Sequence, residues 1–454
     1  MPFAGTATAA SPTLPLSIPA LAPAPPPAPP ARPPAGEHLP VSATLAANEA
    51  LAARRRRGQP VLPLAFGEAG LPAHPALRDA LAAATASNGY GPVAGLEALR
   101  SAAAGYWQRR GLPTSPGSVV CGPGSKPLLF GLLLAADADV AVPRPSWVSY
   151  AAQASLVGAR AHFVAAAPGE GGICDPAALR RAVTAARAAG REIRSVVVTL
   201  PDNPTGRVPR PATVRAFCAA AAELDLIIIS DEIYRDLVHD PTTPVLSPAA
   251  VAPERTVVTT ALSKSLALGG WRIGVARLPD GGTGRALRDR LLGIGSEIWS
   301  APSLPIQQAA ALAFSEPPEL TERISRSRSL HAAVAGAMAD RFRAAGLPVP
   351  EPQAAFYLYP DFGPWRAHLR AAHGLATGAD LAGHLLHRYG MGLLPASVFG
   401  EDESALRMRV ATALLYGETD EQREAALAAS DPVRLPWIAA ALARTGEVLA
   451  SLAR

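Results

Sequence analysis

The sequence predicts an α/β protein: a large domain with a mainly parallel seven-stranded sheet sandwiched by helices, plus a smaller α+β domain. Three observations predict it. Between Gly95 and Pro279 seven short apolar runs recur, several of them near-continuous Val, Ile and Leu, as strands buried on both faces require. Alanine-rich stretches with helical patterning separate them, which is the alternation of strands and crossover helices. After Ala309 the pattern becomes mostly helical.

Taken in chain order, residues 1–40 hold 13 of the 47 prolines, including Ala24-Pro25-Pro26-Pro27-Ala28-Pro29-Pro30. Such a segment forms no ladder or packed core and is expected to be a disordered or polyproline-like tail outside the fold. An Ala-rich helical stretch then runs from Val41 to the basic run Arg54 to Arg57, which reads as a solvated helix end. Residues 41–75 are assigned to the N-terminal part of the small domain, 76–310 to the large domain and 311–454 to the C-terminal small domain. The expected strands are residues 119–121, 139–143, 159–164, 195–200, 225–230, 256–261 and 273–278, with crossover helices at 176–189 and 211–224. Further strands are expected at 355–359 and 406–411, and 437–452 reads as a closing amphipathic helix.

Bulk properties exclude several classes. With 49% hydrophobic and 17% charged residues the chain is globular, and no apolar run is long enough to span a bilayer. Cys121, Cys174 and Cys218 are widely spaced and odd in number, so neither a disulfide framework nor a zinc site is expected, and no metal. They suit a reducing compartment, and the N-terminus lacks the pattern of a secretory signal, so a cytoplasmic location is expected. Net charge is +5 and the pI about 9.4, but the arginines are spread along the chain and do not point to nucleic acid. The 42 basic residues comprise 40 arginines and only two lysines, Lys126 and Lys264. A position that keeps lysine in such a chain is a candidate for chemistry that guanidinium cannot do, such as attack on a carbonyl.

Four motifs carry that chemistry. Lys264 follows an expected buried strand, and Arg272 stands eight residues later in Gly270-Trp271-Arg272-Ile273-Gly274. An amine held near a fixed cation has a lowered pKa and becomes a usable nucleophile. Asp231, in Ser230-Asp231-Glu232-Ile233-Tyr234, stands at the end of a buried strand, where parallel sheets place ligands; a helix N-cap is the alternative. Asn203-Pro204-Thr205-Gly206 ends another strand, and as residue types alone it encodes a turn. Gly122-Pro123-Gly124-Ser125-Lys126 is a Gly-rich turn opening a helix, whose free N–H groups and dipole suit a phosphate.

In order and spacing these motifs resemble the class I/II aminotransferases, which are fold-type-I pyridoxal-phosphate (PLP) enzymes of the aspartate-aminotransferase superfamily. Phe66-Gly67-Glu68, Tyr90 with Gly95, Pro145-Ser146-Trp147-Val148-Ser149-Tyr150, Ala355-Phe356-Tyr357 and Arg407 extend the resemblance over roughly residues 41–430. The resemblance implies PLP as cofactor, an amino acid and a 2-oxo acid as substrates, and a homodimer with shared active sites. Lys264 would hold PLP as a Schiff base and later shuttle the proton of the substrate Cα. Asp231 would pair with the ring nitrogen, and Asn203 and Tyr234 would hydrogen-bond the phenolic oxygen. Trp147 would stack on the ring. Gly124, Ser125, Lys126, Ser263 and Arg272 would hold the phosphate, with the Lys126 side chain or only its backbone taking part. Tyr90 would reach the phosphate of the neighbouring subunit. Arg407 would clamp the substrate carboxylate, helped by Gly67.

The chain departs from the family at three places. Ala261 stands where many relatives have a phosphate-binding serine. Ser296 stands where relatives acting on dicarboxylates often carry a basic residue, which with Glu297 and Trp299 points to a neutral, aromatic or basic substrate side chain. Val410 replaces the family's tyrosine after the carboxylate-binding arginine. Transamination is the main reading. Elimination, replacement or oxidation on an amino acid, including S-adenosylmethionine, uses the same site residues and is the alternative. A PLP-sensing regulator is a remote one, because residues 1–40 supply no helix-turn-helix domain.

Overall fold

A computed structural model describes residues 41–454; the expected Pro-rich tail, residues 1–40, lies outside the described residues. The chain enters through helix Ala43–Arg56 and the two-residue strand β1 (Leu62–Pro63) before reaching the main sheet. That sheet has seven strands: β2 (Val119–Gly122), β3 (Asp139–Arg144), β4 (Ala161–Ala165), β5 (Ile193–Thr199), β6 (Ile227–Asp231), β7 (Thr256–Ala261) and β8 (Gly274–Arg277). Their order is β2-β8-β7-β6-β5-β3-β4, and only β8 runs antiparallel to its neighbours.

The near-continuous apolar runs are explained by covering on both faces. Val196, Val198 and Ile228 pack with helices Pro176–Ala188 and Pro211–Glu223, while Val197, Ile229 and Val257 pack on the opposite face with helices Ser125–Ala136 and Gly282–Ile298. All seven expected strands form, within about two residues of the anticipated ends. Two shifts have local causes. Asp225 adopts a left-handed φ of 54° at the end of its crossover helix, so β6 begins at Ile227 and not at 225. Gly158, with φ 77°, turns the chain before β4 and delays it to Ala161.

The 27-residue helix Pro318–Ala344 carries the chain away from the main sheet. Beyond it lie β9 (Tyr357–Leu358), β10 (Met391–Gly392), β11 (Leu394–Pro395) and β12 (Met408–Ala411), and the closing helix Pro436–Leu452. β11, β12 and β9 form an antiparallel three-stranded sheet, and β10 pairs in parallel with β1. One apolar core joins Leu62, Leu64 and Ala69 to Met338, Phe342, Phe356, Leu381, Val410 and Leu449, so residues just after the first helix are packed with the C-terminal third of the chain. The sequence does not announce strands β1, β10 and β11: two residues each are too short for any periodic signal. Among the described residues no helix is long and apolar enough to cross a membrane.

Candidate active site

The C-terminal ends of β5, β6 and β7 open onto a cavity of about 460 Å³, closed on its other side by residues of the first helix, the 66–68 segment, β9 and β12. This is where parallel sheets present ligands, because the strand ends and the starts of the following helices converge there. Gly67, Ser125, Lys126, Trp147, Asn203, Asp231, Tyr234, Ser263, Lys264 and Arg272 all line it, so most of the residues expected from the sequence meet in one place.

Lys264 sits in the short helix Leu262–Ser265 directly after β7, and its Nζ donates to the Gly67 carbonyl. Burial lowers its pKa to about 8; the nearby Glu68 carboxylate opposes this, and the Arg409 and Arg272 guanidiniums add to it. Fixed cations therefore contribute, as expected, but desolvation dominates. Asp231 ends β6 and is 3% exposed. Burial pushes its carboxyl up to about 6, and hydrogen bonds led by the Tyr150 hydroxyl at 2.9 Å hold it down. The Tyr234 and Tyr357 hydroxyls lie 2.8 Å apart beneath Lys264. Asn203 is carried on a turn that Asp202 closes by accepting from the Thr205 hydroxyl at 2.5 Å and the Thr205 N–H at 3.2 Å.

Opposite these, Gly124 has φ 96° and caps the helix that begins at Ser125. Its backbone packs so closely under Arg272 that a Cβ there would stand 2.5 Å from Arg272 Nη2. Arg272 is itself left-handed, φ 56°, and its Nη1 donates to the Gly269 carbonyl at 2.9 Å. A helix N-terminus and a guanidinium thus stand together at the cavity, which Ser263 also lines, and a phosphate monoester needs such donors. Lys126 Nζ lies 5.0 Å from the centroid of the Trp147 ring.

Three expected residues do not line the cavity: Gly124, which lies behind Arg272, and Arg407 and Tyr90. Arg407 is a correction. It precedes β12, is about two-fifths exposed, and gives its guanidinium to Glu401 at 2.7 Å. Arg409, two residues on, is inside β12 and 1% exposed, and it lines the cavity instead. Arg409 lies 5.1 Å from the Tyr357 ring and 5.2 Å from Phe399, and hydrogen-bonds Asn203 Oδ1 at 3.2 Å and the Ala65 carbonyl. No carboxylate among the described residues pairs with it, and its Nε has no partner. Tyr90 is 92% exposed and stands apart from the cavity.

The cavity also contains residues that sequence reasoning left without roles: Ser42 and Thr44 at the start of the first helix, Glu68, Tyr150, Thr199 and Tyr357. A Cβ on Gly67 would stand 2.2 Å from the Tyr357 hydroxyl, so only glycine permits the Tyr357 ring to close this wall. Among the described residues no group of His, Cys, Asp and Glu is arranged to hold a metal ion.

The donor set fits PLP: an amine with a lowered pKa, a phosphate cradle, and a buried carboxylate and a buried guanidinium that form no salt bridge among the described residues share one cavity. Residues 61–427 match the model of the family aminotransferase class I and II. The aspartate/prephenate aminotransferase of Thermus thermophilus is 30% identical over 71% of this chain and 82% of its own length. The aspartate aminotransferase of Geobacillus stearothermophilus is 29% identical over 85% of this chain and 95% of its own. A solved structure of Thermus thermophilus aspartate aminotransferase with maleate superposes with a TM-score of 0.75 at 27% identity, covering 90% of this chain and 97% of that one. The chain belongs to the class I and II aminotransferases, and it is a PLP-dependent transferase.

Proposed function

We propose that the protein transfers the amino group of a dicarboxylic amino acid such as aspartate to a 2-oxo acid, with Arg409 clamping the substrate α-carboxylate. The observation that carries this is the Arg409 guanidinium, buried near the Lys264 amine and lacking any carboxylate partner among the described residues. An unpaired buried cation is costly unless a ligand completes it, and a planar guanidinium matches a carboxylate bidentately. The acidic substrate is supported by the relatives' names and by Lys126, Ser42 and Thr44 on the cavity wall, a cation and two hydroxyls suited to a second carboxylate. Ser296, in the segment expected to reach the partner's site, supplies no cation there, so within this chain's own cavity the groups suited to a second carboxylate are those three residues.

PLP supplies an electron-withdrawing ring that stabilises the negative charge left when the substrate Cα loses its proton. The chain's own residues do the rest. Lys264 binds the cofactor covalently and then moves the Cα proton. Asp231 holds the ring nitrogen's proton, and Asn203 and Tyr234 donate to the phenolic oxygen. Ser125, Ser263 and Arg272 hold the phosphate with the backbone at Gly124 and Lys126, Trp147 covers the ring face, and the Gly67 backbone helps to seat the carboxylate. Tyr90 reaches the phosphate of a second subunit, which makes the working unit a homodimer; its side chain, 92% exposed in the single chain, is what supports this.

The test is to mix the purified protein with aspartate and 2-oxoglutarate, following the cofactor's absorbance and the products by mass. Glutamate and oxaloacetate are expected. Absence of spectral change with aspartate, alongside a change with a neutral or aromatic amino acid, would overturn the acidic substrate. Release of ammonia without amino transfer would overturn transamination.

A further inference from the structure

Behind Asp231 lies a hydrogen-bonded arrangement that the reading above does not use. Tyr150 is in the first turn of helix Val148–Leu156 and is fully buried. Its ring stands at 84° to that of Trp147, with centroids 5.3 Å apart. Its hydroxyl lies 2.9 Å from Asp231 Oδ2 and 2.9 Å from Thr199 Oγ1. Thr199 and Asp231 are register partners at the ends of β5 and β6. A hydroxyl has one proton, and an ionised carboxylate only accepts. Tyr150 therefore donates to Asp231, and its oxygen accepts from Thr199, so the donors run in one direction. The other contacts to Asp231 are weaker or local: the Thr259 hydroxyl at 3.5 Å on Oδ1 and the Ile233 N–H. The charged or ionisable groups around it are Lys264, Tyr234 and Glu232.

We propose that Tyr150, oriented by Thr199, is a positioning residue that aims the Asp231 carboxylate and keeps it ionised for the cofactor's ring nitrogen. This rests on the reading that Asp231 pairs with that nitrogen. Burial alone drives Asp231 toward its neutral form, and a donor on one oxygen is the force that opposes it without bringing in a competing cation.

Tyr150→Phe keeps the ring against Trp147 and removes only the donor. In the full-length apoprotein labelled with 13C at the aspartate carboxyls, Asp231 is assigned by its absence in Asp231→Asn and titrated. Loss of one hydrogen bond to a charged group predicts an upward shift of about one pH unit, a tenfold change in proton affinity. PLP affinity of Tyr150→Phe should fall about tenfold near pH 6 to 7 and approach the parent's at pH 9, where Asp231 is ionised in both proteins. A purely structural role would weaken binding equally at every pH. An Asp231 that titrates at the same pH in both proteins overturns the proposal. A shifted titration with PLP affinity unchanged at every pH instead overturns the pairing of Asp231 with the ring nitrogen, and the positioning role with it. Where Tyr150→Phe does not fold, protein made with 3,5-difluorotyrosine keeps the ring and strengthens the donor. Asp231 must then titrate lower than in the parent, and no movement overturns the proposal.

Discussion

The two walls of the cavity are built differently. On one side Asp231, Lys264 and Ser125 stand at or just beyond the ends of strands in a seven-stranded sheet covered on both faces. Each is positioned by a strand in the register of one seven-stranded sheet, which cannot slip without exposing a whole face. On the other side Gly67, Tyr357 and Arg409 belong to strands of two to four residues or to the segment before them. That wall is held by side-chain fit: the Tyr357 ring against Gly67, and Arg409 between Tyr357 and Phe399. The sheet wall offers the groups that suit a cofactor, and the short-stranded wall those that suit a substrate. A rigid register suits a group that stays, and a wall of interlocking side chains suits one that comes and goes.

Variants on the two walls should therefore fail in different ways. The largest effect is expected for Lys264→Ala, which should abolish turnover and the visible absorbance of the bound cofactor, with circular dichroism unchanged; measurable turnover would exclude Lys264 as the attaching amine. Asp231→Asn should keep cofactor but lose most of kcat, since a neutral amide cannot hold the ring nitrogen protonated. A parent-like rate would return Asp231 to the role of a helix cap.

On the substrate wall, Arg409→Met should raise the KM for aspartate by about 100-fold or more, as loss of a charge-assisted bidentate contact implies. Its melting temperature should match or exceed the parent's, because the variant removes an unpaired buried charge. Arg407→Met should leave KM within about twofold, since its guanidinium serves Glu401. If the two arginines behaved the other way round, the assignment to Arg409 would be wrong.

The pH dependence of cofactor attachment joins the walls. The neutral amine of Lys264 is the reactive form, and its pKa is lowered to about 8, so attachment of PLP to the apoprotein should speed up as pH rises through 8. Glu68 opposes that lowering, so Glu68→Gln should move the midpoint lower still; stopped-flow absorbance measures both. The smallest effect is expected for Tyr90→Phe, with PLP affinity down about tenfold. In a heterodimer of Tyr90→Phe with Lys264→Ala, the site that keeps Lys264 should bind PLP normally, because its tyrosine comes from the other chain. Weak binding there would confine Tyr90 to its own subunit.

Legibility in the sequence followed the same division. The apolar runs before Thr199, Asp231 and Lys264 announce buried strands, so the residues after them could be placed from pattern alone. In Arg407-Met408-Arg409 no pattern distinguishes the two arginines, because β12 is only four residues long and its register is set by pairing with β9 and β11. Ser42 and Thr44 were equally silent, since small polar residues at a helix start read as capping. Tyr150 lay within a recognised motif, but its partner Asp231 is 81 residues away, and only the fold brings them together.

The chain's two lysines, Lys126 and Lys264, both line this one cavity. Apart from the N-terminus, every primary amine of the protein is thus at the place where cofactor and substrate are handled, and the solvent-facing cations are guanidiniums. Acylating reagents that decorate most proteins at random would here, apart from the N-terminal amine, report on a single pocket. Immobilisation or dye labelling through amines would silence the enzyme, and the extent of labelling under limiting reagent would count empty sites. Both lysines also have lowered pKa values, so that labelling would begin at a lower pH than ordinary surface lysines need.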